Sequence, residues 1–196
     1  KVIDEDLPQA ADILSDIVCH PSIEKEELDK ERHVVLEEIA MVEDSPEDVV
    51  FDVLAEAAFG KQSLGMTILG PAEKIAVYTP EDLFNFRSKH YGPQNAVIAI
   101  AGNVKAKQAE QMLEDTFGSW QGAEGEAFPK TIAVPEEKKL FRNKETEQMH
   151  LALSFRGIPM GDKQVYAMAV MNTILGGGMS SRLFQKIREE RGLAYS

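Results

Sequence analysis

The chain has 196 residues, of which 43% are hydrophobic, and its formal net charge is −12 at pH 7. This share of apolar side chains is enough to bury a core and excludes a disordered chain. Because an acidic surface repels the phosphates of nucleic acids and of anionic membranes, we expect neither nucleic acid nor membrane as a partner.

Cys19 is the single cysteine, so the chain forms no internal disulfide and no thiolate metal cluster. Its apolar helical context indicates a buried, inert thiol rather than a nucleophile. This cysteine usage suits a reducing compartment, and we predict a cytoplasmic location. The sequence has no apolar run long enough to span a bilayer. It begins at Lys1 rather than at methionine, and we expect it to be a fragment of a longer protein.

The first sixty residues predict three helices. Apolar residues at helical spacing predict the first over Pro8–Val18. Ser22 is expected to open the second helix, which runs through Val42. The pair Ser45-Pro46 breaks it, and a third helix is predicted over Glu47–Phe59.

The next sixty residues predict two helices around a strand. Thr79 and Pro80 are typical of a helix start, and this helix is expected to end at His90. The apolar run Ala96–Ala101 predicts a buried strand. A further helix is predicted over Lys105–Phe117.

The stretch from Gly118 to about Glu137 has little periodicity and predicts a linker. We therefore divide the chain into the C-terminal part of a first domain at 1–120, a linker at 121–137 and the N-terminal part of a second domain at 138–196. A short strand is expected within the linker, near Thr131–Val134.

The second domain is predicted to contain strands and helices. The alternation in His150–Phe155 predicts a half-buried strand, and Asp162 is expected to cap a helix that runs through Leu175. A second helix is predicted from Arg182 to about Glu190, and Leu193–Tyr195 begins a strand. The whole pattern predicts an α+β fold of two-layer α/β domains with mostly antiparallel sheets, the first lacking its N-terminal part and the second truncated.

Glu31 and Glu38 are the residues of most chemical interest. They are seven positions apart, which places them on one helix face, roughly 10.5 Å apart along the axis. Two such carboxylates can serve a metal, one as a ligand and the other behind it. Charged residues at this spacing are also typical of a solvated helix face. The pattern alone favours this interpretation over a metal site.

The stretch ERHVVLEEIAMVEDSPEDVVFD resembles the helix that supplies the third zinc ligand in the pitrilysin/insulinase family of zinc metallopeptidases, and above all in bacterial relatives of the mitochondrial processing peptidase. The resemblance continues through LGMTILGPAEKIAVYTPEDLFNFRSKHYGPQNAVIAIAGNV and ILGGGMSSRLFQKIREERGLAYS, in the family's order. It implies that Glu38 is a zinc ligand and that Glu31 is its supporting carboxylate.

The family's His-x-x-Glu-His motif, whose two histidines bind zinc and whose Glu is the general base, is expected upstream of this chain. No two of the four histidines present have that spacing; they are His20, His33, His90 and His150. The resemblance therefore implies Zn²⁺ in the full-length protein. We expect this fragment alone to hold no zinc tightly and to be inactive, because a carboxylate pair without imidazole cannot complete a tetrahedral site.

Arg188 and Tyr195 match the Arg and Tyr that hold the substrate carbonyl at the zinc in this family. A permanent cation and a phenol hydroxyl both stabilise a developing oxyanion. The resemblance implies that they act in trans, on the zinc site of a partner subunit, in a homodimer or a heterodimer with a family member. The alternative is structural, with Arg188 paired to Glu189 or Glu190 on a helix surface.

These features predict a zinc-dependent endopeptidase that cleaves peptides or unfolded presequence-like segments. The alternative within the same family is a non-catalytic subunit that binds peptides or acts as a scaffold. Retention of all four candidate site residues favours the enzyme. An acidic helical interaction domain without chemistry would explain the composition but not the ordered motifs.

Overall fold

The computed structural model describes residues 1–124 and 138–195. The chain divides into two compact units, Lys1–Ala152 and Leu153–Ser196. Helices build the described part of both units, and none of these helices is long and apolar enough to cross a bilayer.

Three long helices open the first unit: α1 at Leu7–Cys19, α2 at Lys25–Asp44 and α3 at Pro46–Phe59. They confirm the three helices predicted for this region. Between α2 and α3, the Ser45 hydroxyl accepts a hydrogen bond from the Asp48 backbone N–H, at 3.3 Å. Ser45 therefore caps α3 at its N-terminus, and Pro46 follows at the first helical position.

The prediction that Ser22 opens α2 is wrong. The helix begins at Lys25, with Glu24 in an extended conformation at the N-cap position. Ile23 explains the later start, since its φ of 45° lies in the left-handed region. A β-branched residue in that region interrupts the right-handed helix before Lys25.

Three shorter α-helices follow in the first unit: α4 at Ala72–Ile75, α5 at Pro80–His90 and α6 at Ala106–Phe117. The predicted start and end of α5 are both confirmed. Its Thr79 and Asp82 form a capping box, in which each side chain bonds the backbone N–H of the other. The hydroxyl and the backbone N–H of Thr79 both donate to the Asp82 carboxylate, and they hold the pKa of Asp82 below its usual value.

Packing in the first unit pairs α1 with α6 and places both α3 and α4 against α2. Ala11 on α1 and Val49 on α3 are the buried hydrophobic residues of the described chain. Ser15 is buried beside Ala11, and its hydroxyl donates a hydrogen bond to a backbone oxygen of α1.

The end of α1 is closed by a side chain from α5. Arg87 donates hydrogen bonds from Nη2 to the carbonyl oxygens of Val18 and Cys19, at 2.8 and 2.7 Å. These carbonyls have no helical partner of their own, so the guanidinium caps the helix. Burial raises the pKa of the Cys19 thiol, and the positive charge of Arg87 partly opposes that rise.

The second unit contains α7 at Val165–Gly176 and a π-helix at Phe184–Glu189. Before α7, the Asp162 carboxylate accepts a hydrogen bond from the Gln164 backbone N–H, at 2.8 Å. Both predicted helices of this region are therefore present, the second in a wider form than an α-helix.

The predicted α+β fold with antiparallel sheets is wrong, because the described residues contain helices and no strand or sheet. A strand requires backbone hydrogen bonds to a neighbour. None joins residues 97–101 or 151–155 to another described residue. Their side chains are also uncovered, since Val97 is 95% and Phe155 88% exposed. The predicted strand at Thr131–Val134 lies outside the described residues.

Candidate functional site

Glu31 and Glu38 both lie on α2, and both are exposed. Because α2 is continuous from Lys25 to Asp44, their seven-residue separation keeps them on one face of the helix. Neither carboxylate makes a hydrogen bond or an ion pair with another described residue. By contrast, Glu27 on the same stripe is paired with Lys30 at 2.6 Å.

Arg32 anchors the first half of α2 to the last residue of α4 and to the loop between α4 and α5. Its Nε donates to the carbonyl oxygen of Ile75 at 3.2 Å, and its Nη2 donates to that of Tyr78 at 2.6 Å. Asp29 accepts hydrogen bonds from Lys25 and from Arg32, which in that order hold the pKa of Asp29 below its usual value. The helix position beside Glu31 is thus fixed by charged hydrogen bonds.

Arg142 and Lys144 anchor the other end of α2. Arg142 pairs with the Glu43 carboxylate, and Lys144 donates from Nζ to the Glu43 carbonyl oxygen and to Asp44, at 2.6 and 3.0 Å. The last turn of α2 has no basic residue of its own, although helix C-termini favour positive charge. These two cations supply it from a distant part of the chain.

The donor groups of the described residues do not complete a zinc site. Within residues 1–124 and 138–195, no group of three or more His, Cys, Asp or Glu side chains could hold a metal. Glu38 offers one carboxylate, and Glu31 is roughly 10.5 Å further along the axis. The His33 ring is turned back, with Nδ1 2.7 Å from a backbone oxygen of α2. Glu38 therefore fits as one oxygen ligand of a larger set.

Arg188 and Tyr195 come together in the second unit. After the π-helix, Gly192 adopts a left-handed φ of 57°. Its N–H donates to the Arg188 carbonyl, and the Leu193 N–H donates to that of Ile187, both at 3.0 Å. The chain therefore turns back on the helix, and the Tyr195 ring centroid lies 4.6 Å from Cζ of Arg188.

The structural alternative for Arg188 also finds a contact. Its Nε lies 3.8 Å from the Glu189 carboxylate, which is an ion pair but exceeds hydrogen-bonding distance. The same guanidinium stacks over the ring of Phe184, 4.7 Å from its centroid.

Sequence reasoning missed four side chains around these sites: Arg32, Phe184, Arg142 and Lys144. The four-residue spacing of Phe184 and Arg188 could have revealed the contact of Phe184 with Arg188, because residues at this spacing are neighbours on a helix. No local pattern connects Arg142 and Lys144 to α2, which lies about a hundred positions earlier.

Residues 78–196 match the family model described as "Peptidase M16 inactive domain", and residues 1–72 match the one described as "Insulinase (Peptidase family M16)". The chain belongs to peptidase family M16. This confirms the resemblance to the pitrilysin/insulinase family. The M16 chain is therefore a member of a metalloprotease family.

Bacterial relatives of the M16 chain are named zinc proteases. The uncharacterized zinc protease YmxG of Bacillus subtilis is 43% identical over 196 residues, which are all of this chain and 47% of that protein. The uncharacterized zinc protease SCO5738 of Streptomyces coelicolor is 39% identical over 204 residues, covering 100% of this chain and 44% of that protein. The M16 chain thus spans about half the length of these curated relatives.

Two solved structures share the fold of the M16 chain. A peptidase M16 inactive domain from Pseudomonas fluorescens superposes with a TM-score of 0.78 at 19% identity, over 99% of this chain and 47% of that one. A protease from Helicobacter pylori superposes with a TM-score of 0.76 at 20% identity, over 98% and 48%. At such identities the likeness concerns the fold alone.

Proposed function

We propose that this M16 chain works as part of a zinc-dependent endopeptidase that cleaves peptides or unfolded presequence-like segments. The observation that carries the proposal is the exposed Glu38 carboxylate, which makes no hydrogen bond or ion pair with another described residue, on a helix anchored near both ends. Membership of family M16 and relatives named zinc proteases support it.

In this proposal Glu38 is one oxygen ligand of the zinc, and Glu31 is its supporting carboxylate. The remaining ligands come from a His-x-x-Glu-His motif upstream in the complete gene product. Zinc, when bound, supplies a Lewis acid that activates water at neutral pH. Arg32 and Lys144 contribute by holding α2 in place while the two carboxylates stay open to the metal.

Arg188 and Tyr195 are proposed to bind the carbonyl oxygen of the peptide. The guanidinium is permanently charged and the phenol donates one hydrogen bond, so both stabilise negative charge on that oxygen. We propose that they act in trans, in a homodimer or a heterodimer with a family member. The domain boundaries at 1–120, 121–137 and 138–196 and the cytoplasmic location stay part of this proposal.

The proposal is tested by cleavage of a quenched peptide, with the complete gene product beside its Glu38→Gln variant. We expect the variant to lose activity, since the glutamine side chain has the shape of glutamate but lacks its negatively charged oxygen ligand. Glu37→Gln is the matched control, because Glu37 is an exposed neighbour on the same helix. A Glu38→Gln variant as active as the parent would refute the role of Glu38.

Glu31→Gln tests the supporting role separately. Loss of a group that orients a metal ligand typically reduces metal affinity or activity about 10- to 100-fold. We therefore expect a smaller loss in Glu31→Gln than in Glu38→Gln, measured as kcat/KM on the same peptide. Equal activity of Glu31→Gln and the parent would assign Glu31 to the solvated face of α2.

A non-catalytic subunit that binds peptides or scaffolds a partner is the second candidate. The observation that favours it is the match of residues 78–196 to a family model described as an inactive domain. If this candidate is right, the complete gene product binds an unfolded peptide without cleaving it. Arg188→Ala then weakens binding, whereas Glu38→Gln leaves it unchanged.

A further inference from the structure

The guanidinium of Arg188 lies over two aromatic rings. Its Cζ is 4.7 Å from the ring centroid of Phe184 and 4.6 Å from that of Tyr195. Both distances are within the range of roughly 6 Å in which a cation is attracted to an aromatic face. Tyr195 already has a proposed role in binding substrate, whereas Phe184 has none.

Ring stacking occupies the guanidinium without using its hydrogen-bond donors. The five N–H donors of an arginine lie in the plane of the group and point outward. Those of Arg188 make no hydrogen bond to another described residue, and its side chain is 37% exposed. The guanidinium is therefore stacked on both rings, and beyond the 3.8 Å ion pair of its Nε with Glu189 its N–H groups stay open to an oxygen acceptor.

Phe184 is the firmer of the two supports. It is half-buried and belongs to the same π-helix as Arg188, four residues earlier, so the helix backbone fixes their spacing. Tyr195 is 80% exposed and reaches the guanidinium only through the turn at Gly192. An oxygen-binding Tyr195 also needs its own hydroxyl oriented toward the substrate, which leaves Phe184 to hold the cation.

We propose that Phe184 is a positioning residue that fixes the guanidinium of Arg188 for binding the carbonyl oxygen of a peptide. Phe184 itself touches no substrate, and it acts through Arg188. The inference rests on the proposed function, in which Arg188 binds that oxygen.

The stacking is tested by NMR on the 196-residue chain with ¹⁵N-labelled arginine, in which Arg188→Lys identifies the Arg188 Nε–H signal. We expect Phe184→Leu to shift this signal, because the ring current of Phe184 is lost, and Phe184→Tyr to keep it. Phe155→Leu is the control, since Phe155 is 88% exposed. An unchanged signal in Phe184→Leu overturns the proposal. If that variant does not fold, Phe184→Met replaces it.

The consequence for catalysis is tested with the complete gene product. We expect Phe184→Leu to lower kcat by about two- to fivefold with little change in KM, which corresponds to about 0.5–1 kcal/mol, and Phe184→Tyr to restore kcat. Unchanged kcat in Phe184→Leu, or no restoration in Phe184→Tyr, contradicts the inference. A parent that cleaves no peptide refutes the proposed function instead, and the NMR result still decides whether Phe184 holds Arg188.

Discussion

Gly192 decides how the chain leaves the π-helix. Its φ of 57° lies in the left-handed region, which costs an ordinary L-residue about 1–2 kcal/mol. With this conformation the Leu193 N–H reaches the Ile187 carbonyl oxygen, and Tyr195 returns to Arg188. A single residue without a side chain thus brings together two candidate site residues.

Gly192→Ala is expected to lower the free energy of unfolding by about 1–2 kcal/mol, because alanine is strained at this backbone conformation. Urea unfolding of the second unit, followed by its NMR signals, measures the change. Gly178→Ala is the control, since a Cβ there would meet no atom within 4 Å and its backbone is not left-handed. Equal stability of the two variants would contradict the role given to the Gly192 turn.

The lowered pKa of Asp29 predicts that the stability of the folded chain depends on pH. Its pKa is held below the usual value of 3.8, first by Lys25 and then by Arg32. The folded chain therefore binds the Asp29 proton more weakly than the unfolded chain does. The stability that Asp29 contributes is present above pH 3.8 and is lost as the pH falls through the lower folded-state pKa.

Asp29→Asn is therefore expected to destabilise the chain at neutral pH, and the difference from the parent should shrink once the pH falls below about 4. Thermal unfolding between pH 3 and 7 measures it. Asp12→Asn serves as the control, because Asp12 is exposed and its carboxylate has no partner among the described residues. A destabilisation that is constant across this range would mean that the ion pairs of Asp29 contribute nothing.

At the scale of elements, the helices could be predicted from local sequence and the strands could not. Thr79 and Pro80 mark the start of α5 in the sequence, and both this start and the predicted end at His90 are confirmed. Ala96–Ala101 has the apolar composition of a buried strand, but composition does not specify a pairing partner. A strand forms only when two segments pair, whereas a helix forms within one segment. The prediction of the fold class therefore failed, although the helices were predicted.

In the candidate site, too, features that depend on local sequence could be predicted and features that depend on distant contacts could not. The shared face of Glu31 and Glu38 could be predicted, since it depends only on helical spacing along α2. The anchoring of α2 could not, because Arg142 and Lys144 act through contacts about a hundred residues away in sequence. The stacking of Phe184 on Arg188 could be predicted only in part. The sequence shows the four-residue spacing of the two residues, but not the side-chain rotamers that bring them together.

The cap on α1 gives a prediction at this scale. Arg87→Ala removes charged hydrogen bonds to the Val18 and Cys19 carbonyls, and we expect a loss of about 1.5–3 kcal/mol in the free energy of unfolding. Chemical unfolding followed by circular dichroism measures it. Arg156→Ala is the control, because Arg156 is exposed and makes no hydrogen bond to a described residue. If both variants unfold alike, Arg87 does not cap α1.

At the scale of the whole molecule, the described residues contain no group of three or more side chains that could hold a metal, and the chain spans about half the length of its curated relatives. A tetrahedral zinc site needs imidazole or thiolate donors that Glu31 and Glu38 cannot replace. We therefore predict that the 196-residue chain alone binds no zinc tightly and cleaves no peptide. Metal analysis after dialysis against zinc checks this, and a stoichiometric zinc on the chain alone would contradict it.

The most direct test of the proposed peptidase is the zinc content of the complete gene product. We expect one zinc per chain in the parent and in Glu37→Gln, and substantially less in Glu38→Gln under the same dialysis. That result would establish Glu38 as a ligand. A complete gene product that contains no zinc, or a Glu38→Gln variant that keeps all of it, would contradict the account.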